Sequence, residues 1–231
     1  MENSFGLVPA YSTFVHYVSL IPIPTASSYA YPLRRMVLYN LQQAGVNQQA
    51  VRSYQLQPHL EAYLDIETTG LSAEYCEITV VGIHLVDEYE TRLIQLVGEE
   101  VTADNILQAL EAVSTIYTYN GASFDLPFIN SHLGINLAKL FNHCDLMYNC
   151  WKSNLYGGFK AVERQLGIER RLNEVDGYDA VRLWWRYVND DDKDALSTLL
   201  EYNREDVVNL KYLKERLGIN SDFHPERDRK G

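Results

Sequence analysis

The chain has 231 residues, 46% of them hydrophobic and 22% charged, a composition that suits a water-soluble globular domain with an extension. Its net charge of −11 argues against a protein that grips duplex nucleic acid broadly through phosphates, but not against an enzyme that touches a few nucleotides through metal ions. Three cysteines (Cys76, Cys144, Cys150) make no even disulfide framework, and the apolar run 14–23 is broken by His16, Tyr17 and Pro22. With no basic leader before that run, the expectation is a reduced, cytoplasmic protein without a signal peptide or membrane span.

Residues 1–58 differ in composition from the rest of the chain. Glu2 is their only acid, Arg34, Arg35 and Arg52 are their only Lys or Arg residues, and Gln, Ser, Tyr, Pro and aliphatics fill the remainder. A strand over 13–21, a helix over 32–44 stopped by Gly45, and a Gln-rich linker over 48–57 are expected. This extension has no functional reading of its own; it is either a further layer or an arm for a partner. From residue 59 the pattern alternates. Strands are expected at 61–67, 77–86 and 90–97 as an antiparallel meander, then a helix over 102–113 capped by Thr102, a strand at 116–119 and a helix over 125–133. Next come a fifth strand near 140–145, helices at 146–152, 159–166 and 177–188, an acidic loop at 189–194 and a last helix over 195–217, with a charged tail over 221–231. The expected fold is α/β: a mixed five-stranded sheet with helices on both faces, in one domain spanning 59–220.

Three segments concentrate acids where these elements end. In Tyr63-Leu-Asp-Ile-Glu-Thr-Thr-Gly-Leu71, strand alternation puts Asp65 and Glu67 on one face, opposite Leu64 and Ile66. Two carboxylates about 7 Å apart on a strand that rises roughly 3.3 Å per residue repel by about 2 kcal/mol at an effective dielectric of 20. No Lys or Arg lies within ten residues to offset this, and a divalent cation would relieve it. In the second segment, Tyr119-Asn-Gly-Ala-Ser-Phe-Asp-Leu, Asp125 opens a helix and serves either as an ordinary N-cap or as a further ligand. In the third, Glu201-Tyr-Asn-Arg-Glu-Asp-Val-Val, Tyr202 and Asp206 share a face of the last helix. Asp206 borders the apolar stripe with no basic residue four away and therefore needs a partner. Arg204 and Glu205 read as solvated charges.

Taken together and in order, these segments resemble the DEDD superfamily of ribonuclease H-like 3′→5′ exonucleases. Its third motif separates a histidine branch, whose His would stand where Glu201 is, from a tyrosine branch, whose Tyr stands where Tyr202 is. The chain is similar to the tyrosine (DEDDy) branch. The segments Phe-Lys-Ala-Val-Glu-Arg-Gln-Leu-Gly-Ile (159–168) and Gly-Tyr-Asp-Ala-Val-Arg-Leu-Trp (177–184) are similar to the predicted exonucleases typified by YprB.

The resemblance implies a ribonuclease H-like fold and catalytic residues Asp65, Glu67, Asp125, Tyr202 and Asp206. The four acids would gather two Mg²⁺ or Mn²⁺ about 3.5–4 Å apart, with Asp65 bridging. Tyr202, an ordinary phenol with pKa about 10, would orient the attacking water. Thr68, Thr69, Gly70 and Leu71 would lie along the terminal nucleotide, flanked by Asn120 and Phe124. The implied substrate is the 3′ end of single-stranded DNA or RNA, cut to nucleoside 5′-monophosphates. A structure-selective endonuclease and a non-catalytic nucleic-acid-binding scaffold of the same fold are the alternatives. Lys160, Arg164, Arg182 and Arg186 are either phosphate contacts or members of surface ion pairs. His143, Cys144, Asp145 and Cys150 lack zinc spacing, and Asp145 reads as a strand end that caps the next helix. His84 reads as a satisfied core or edge histidine.

Overall fold

The computed structural model describes residues 60–86 and 91–219. The expectations for 13–21, 32–44, 48–57 and the tail lie outside these residues. Five strands, β1 (Leu60–Thr68), β2 (Ile78–Val86), β3 (Thr91–Val97), β4 (Val113–Thr118) and β5 (Asn142–Asp145), form one sheet in the order β3-β2-β1-β4-β5. The first three are an antiparallel meander, and β4 and β5 join in parallel on the far side of β1. The helices are α1 (Ala103–Ala109), α2 (Asp125–Leu133), α3 (Leu137–Leu140), α4 (Leu146–Lys152), α5 (Phe159–Leu166), α6 (Gly177–Asp190) and α7 (Lys193–Arg216). Among the described residues, no helix is long and apolar enough to cross a membrane.

Alternation in β1 decides the layers. Leu64 and Ile66 face one side, where Ile106 and Leu110 from the α1 region and Leu126 and Ile129 of α2 close over them. Tyr63 faces the other side with Tyr117, packed under Leu146, Val162, Leu210 and Leu213 of α4, α5 and α7. Each fully buried aliphatic contributes about 2 kcal/mol of burial free energy. The long helix α7 crosses β1, β2, β3 and β4, so the face of β1 carrying Asp65 and Glu67 is the face that α7 covers.

Several boundaries differ from expectation for local reasons. Helix α1 stops at Ala109 rather than 113, because Val113 pairs with Leu60 and starts β4, a segment rich in β-branched residues. A short helix, α3, capped by Asn136, precedes β5, which starts at Asn142 within the expected 140–145. Helix α6 runs on through Asp190, so the acidic loop shrinks to two residues: Asp191 is left-handed (φ 51°) and Asp192 caps α7 by accepting from Ala195 N. His84 is buried against Tyr63 and its Nδ1 has no partner, so it is not fully satisfied as expected; burial pushes its pKa down to about 4.

Below Tyr63 and Tyr117, the strand residue Glu61 is buried. It accepts hydrogen bonds from Tyr63 OH (2.8 Å), Tyr117 OH (3.3 Å) and Lys214 Nζ (2.5 Å), the last from α7. Side chains of the Glu61–Lys214 pair are only 10% and 7% exposed, so removing one partner strands a charge. Lys214→Met should lower the free energy of unfolding by about 3–5 kcal/mol in urea titrations. Adding Glu61→Gln, which removes the stranded charge and keeps one acceptor oxygen for the tyrosines, should recover a measurable part of that loss.

Candidate metal centre and nucleic-acid cleft

Strand β1 delivers Asp65 and Glu67 to the rim where its pairing ends. Its register against β2 slips between Glu67 and Thr68, a bulge of the kind that re-aims side chains beside functional sites. Asp206 comes down from α7 across the sheet. One carboxylate oxygen from each of Asp65, Glu67 and Asp206 lies within 4.8 Å of the others, closer than backbone spacing along the strand alone would put the first two. Glu67 Oε1 is buried without a hydrogen-bond partner. A set of oxygen donors with an unpartnered oxygen fits a hard divalent cation such as Mg²⁺ or Mn²⁺.

Asp125 sits at the first turn of α2, but not as its cap. The cap position is Phe124, without a side-chain bond, and Asp125 Oδ1 instead accepts from Ile66 N at 3.0 Å. This bond ties the second acidic segment to the strand position between Asp65 and Glu67. Asp125 thus borders the trio from its own wall of the cleft.

The cleft has a volume of about 410 Å³. It is lined by Asp65, Glu67, Asp125, Tyr202 and Asp206, and by Thr68, Gly70, Leu71, Asn120 and Phe124. Thr69, expected beside them, is not on the lining; its Oγ1 and N bond Glu77 N and O across the turn, both at 2.9 Å. Leu71 projects with 88% of its surface exposed, and Tyr178, at the start of α6, faces the same cleft with 73% exposed. Sequence reasoning missed Tyr178. The second-segment turn is built around Asn120 in the left-handed region (φ 63°) and Gly121, where a Cβ would press on the Thr118 side chain. Asp145 holds that turn: its oxygens accept from Asn120 N (2.8 Å) and Ala122 N (3.0 Å) as well as capping α4 through Met147 N.

Two further side chains complete the setting. Asn203 donates to Asp65 Oδ2 (3.3 Å) and Asp65 O (3.5 Å) and is itself held by Gln95 Nε2 (3.0 Å). It fits because residue 82 is glycine; a Cβ there would lie 2.1 Å from Asn203 Oδ1. Helical spacing from Asp206 is the signal that could have found it. Arg170 pairs with Asp206, supplying the partner that Asp206 needed from a loop no local pattern marks. Glu205 is buried rather than solvated: its carboxylate accepts from Arg171 N (2.7 Å) and Leu172 N (3.0 Å), anchoring that loop on α7.

The other cations divide. Arg182 and Arg186 form surface pairs with Asp179 and Asp192. Lys160 does not; its Nζ donates to Leu172 O and Val175 O and stands 4.8 Å from the Tyr202 ring centroid. Arg164 lines a separate groove with Arg170 and Arg171. His143 bonds Thr118, and the Cys144 thiol points to Asn149.

Burial, then repulsion from Asp206 and Asp125, holds the Asp65 and Glu67 carboxyls well above the usual carboxylate range. Burial lifts Asp125 to about 7 against the Ile66 N–H bond, and lifts Asp206 to about 6 against the Arg170 guanidinium. Tyr202 is driven far above the phenol range by burial and by the charges of Asp206, Glu67 and Asp65, so its hydroxyl stays protonated.

A family model for the RNase H superfamily matches residues 62–218. This chain belongs to the RNase H superfamily. The curated relative, the uncharacterized protein YprB of Bacillus subtilis (strain 168), is 29% identical over 184 residues, 72% of this chain and 44% of that protein. The chain therefore spans less than half the length of that relative. Among solved structures, the family B DNA polymerase of the archaeon Pyrobaculum calidifontis matches with a TM-score of 0.52 and 16% identity, over 69% of this chain and 24% of the polymerase. An Escherichia coli ExoI–ssDNA complex with bound zinc matches with a TM-score of 0.36 and 13% identity, over 62% of this chain and 43% of that one. This ribonuclease H-like fold brings Asp65 and Glu67 of β1 and Asp206 of α7 into a cluster that could hold a metal ion.

This geometry has two measurable outcomes. Carboxylates with raised pKa values bind more protons folded than unfolded, so the metal-free protein should lose stability as pH rises from about 4 to about 7. Thermal melts across that range test the sign, and Mn²⁺ at 100 times its dissociation constant should restore about 2.7 kcal/mol above pH 7. In the second test, Gly82→Ala should displace Asn203 from Asp65 and weaken Mn²⁺ binding about tenfold, read by calorimetric titration.

Proposed function

We propose that the domain is a metal-dependent 3′→5′ exonuclease of the tyrosine branch, acting on single-stranded DNA or RNA ends and releasing nucleoside 5′-monophosphates. The observation that carries this reading is the convergence of Asp65, Glu67 and Asp206 in a cleft that also holds Asp125 and Tyr202. In this reading Asp65, Glu67 and Asp206 hold the cations, with Asp125 supporting from α2. Two bound Mg²⁺ or Mn²⁺ supply an activated water and stabilise charge on the leaving 3′-oxygen. Tyr202 keeps its proton and orients the attacking water by hydrogen bonding, since a phenol so far above its usual range is not a base. Water oxygen bonds to phosphorus as the P–O3′ bond breaks, and the departing 3′-oxygen takes up a proton.

Leu71, Phe124 and Tyr178 offer apolar and aromatic surfaces for the terminal bases, and Thr68 and Gly70 border the sugar-phosphate. A cleft of about 410 Å³ and a net charge of −11 favour a short single-stranded end over an extended duplex. The protein's cytoplasmic location and any partner of residues 1–58 belong to the same proposal.

With 5′-labelled single-stranded DNA and RNA and Mg²⁺ or Mn²⁺, the expected product is a ladder shortening from the 3′ end. EDTA should abolish it, and Asp206→Ala should reduce it at least about 10³-fold, the scale of losing a main electrostatic contributor. Internal cuts would favour the endonuclease, and binding without cleavage the scaffold.

A further inference from the structure

We propose that Arg170 and Glu163 act as a positioning pair for Asp206, a role that rests on the metal-site reading of the cleft. Arg170 orients the Asp206 carboxylate toward Asp65 and Glu67, and Glu163 cancels the guanidinium charge so that the trio keeps its negative charge for cations.

Arg170 lies in the loop between α5 and α6, 36 residues from Asp206. Its side chain is 1% exposed and its fork grips Glu163 through Nε and Nη2, both at 2.9 Å, while Nη2 also reaches Asp206 Oδ1. A guanidinium held on Oδ1 restricts the rotation of the carboxylate. Glu163 is itself oriented by Asn209 Nδ2 at 2.7 Å, and Asn209 also donates to Glu169 O. The loop cannot drift, because Glu205 accepts from the backbone of Arg171 and Leu172.

Charge decides why two residues are needed. A lone guanidinium against Asp206 would compete with a cation for the same carboxylate. Glu163, 2% exposed on its side chain, returns the Arg170–Glu163 unit to neutrality, leaving a hydrogen-bond donor without net opposing charge. Partners of this kind behind metal-binding carboxylates change affinity by roughly 10–100-fold when removed.

Binding is measured directly, by calorimetric titration of the full chain with Mn²⁺ at pH 7.5. Glu163→Gln touches no metal-facing group, yet should weaken Mn²⁺ binding about tenfold, because Arg170 then bears an uncancelled charge at Asp206. Arg170→Lys keeps the charge but cannot fork to both acids, and should also weaken binding about tenfold or more. Lys214→Met, which destabilises the protein at Glu61 without touching Arg170, Glu163 or Asp206, should lower the melting temperature and leave Mn²⁺ affinity within threefold of the parent. Unchanged affinity in Glu163→Gln and Arg170→Lys, both folded by circular dichroism, would reduce the pair to a structural clamp and overturn the inference. Tighter binding in Arg170→Lys would overturn it in the other direction, making the guanidinium a competitor. A parent protein that binds no Mn²⁺ would instead sink the metal-site reading, and the positioning role with it.

Discussion

Everything at this site depends on holding like charges together. Carboxylate oxygens of Asp65, Glu67 and Asp206 within 4.8 Å repel by about 3 kcal/mol per pair at an effective dielectric of 20. No single element could hold them so. Strand β1 fixes two, helix α7 fixes the third, and the apolar packing of Tyr63, Val80, Leu199 and Leu210 between sheet and helix opposes their separation. The fold stores this repulsion at one rim of the sheet, where burial first and then the neighbouring acids raise the Asp65 and Glu67 carboxyl pKa values.

The groups around the trio moderate the repulsion without abolishing it. Asn203 donates to Asp65 but carries no charge, and its place depends on Gly82 and Gln95. Arg170 carries a charge but shares it with Glu163. Ile66 N–H is spent on Asp125 rather than on the trio. Each polar partner is itself buried or tied down, which keeps the acids in fixed positions at modest cost in net charge. On the proposed reading, an acidic chain could still meet a polyanion at such a site, because bound cations rather than a basic surface would supply the attraction.

The same packing arranges the cleft walls. The loop after α5 is pinned to α7 by Glu205 and to α5 by Lys160, and it leads directly to Asp176, which caps α6 and sets Tyr178 at the rim. On the opposite wall, Asp145 shapes the Asn120–Gly121 turn while capping α4. Acids that resemble simple caps in the sequence therefore also hold backbone at the cleft.

Much of this is legible in the chain alone. Period-two alternation places Asp65 and Glu67 on one face, four-residue spacing places Tyr202 with Asp206, and the element order gives the mixed sheet, because these patterns report local geometry that burial on one side enforces. What periodicity cannot carry is which distant groups meet. That Arg170 answers Asp206, that Glu205 is an anchor rather than a solvated charge, and that Gly82 makes room for Asn203 are consequences of α7 lying across β1 and β2; that Asp125 bonds across to Ile66 instead of capping its helix follows from α2 starting beside β1. Sequence pattern determines which face of an element is apolar and which residues share it; only the packing of elements remote along the chain decides which polar groups face one another, since that depends on distances no local repeat encodes.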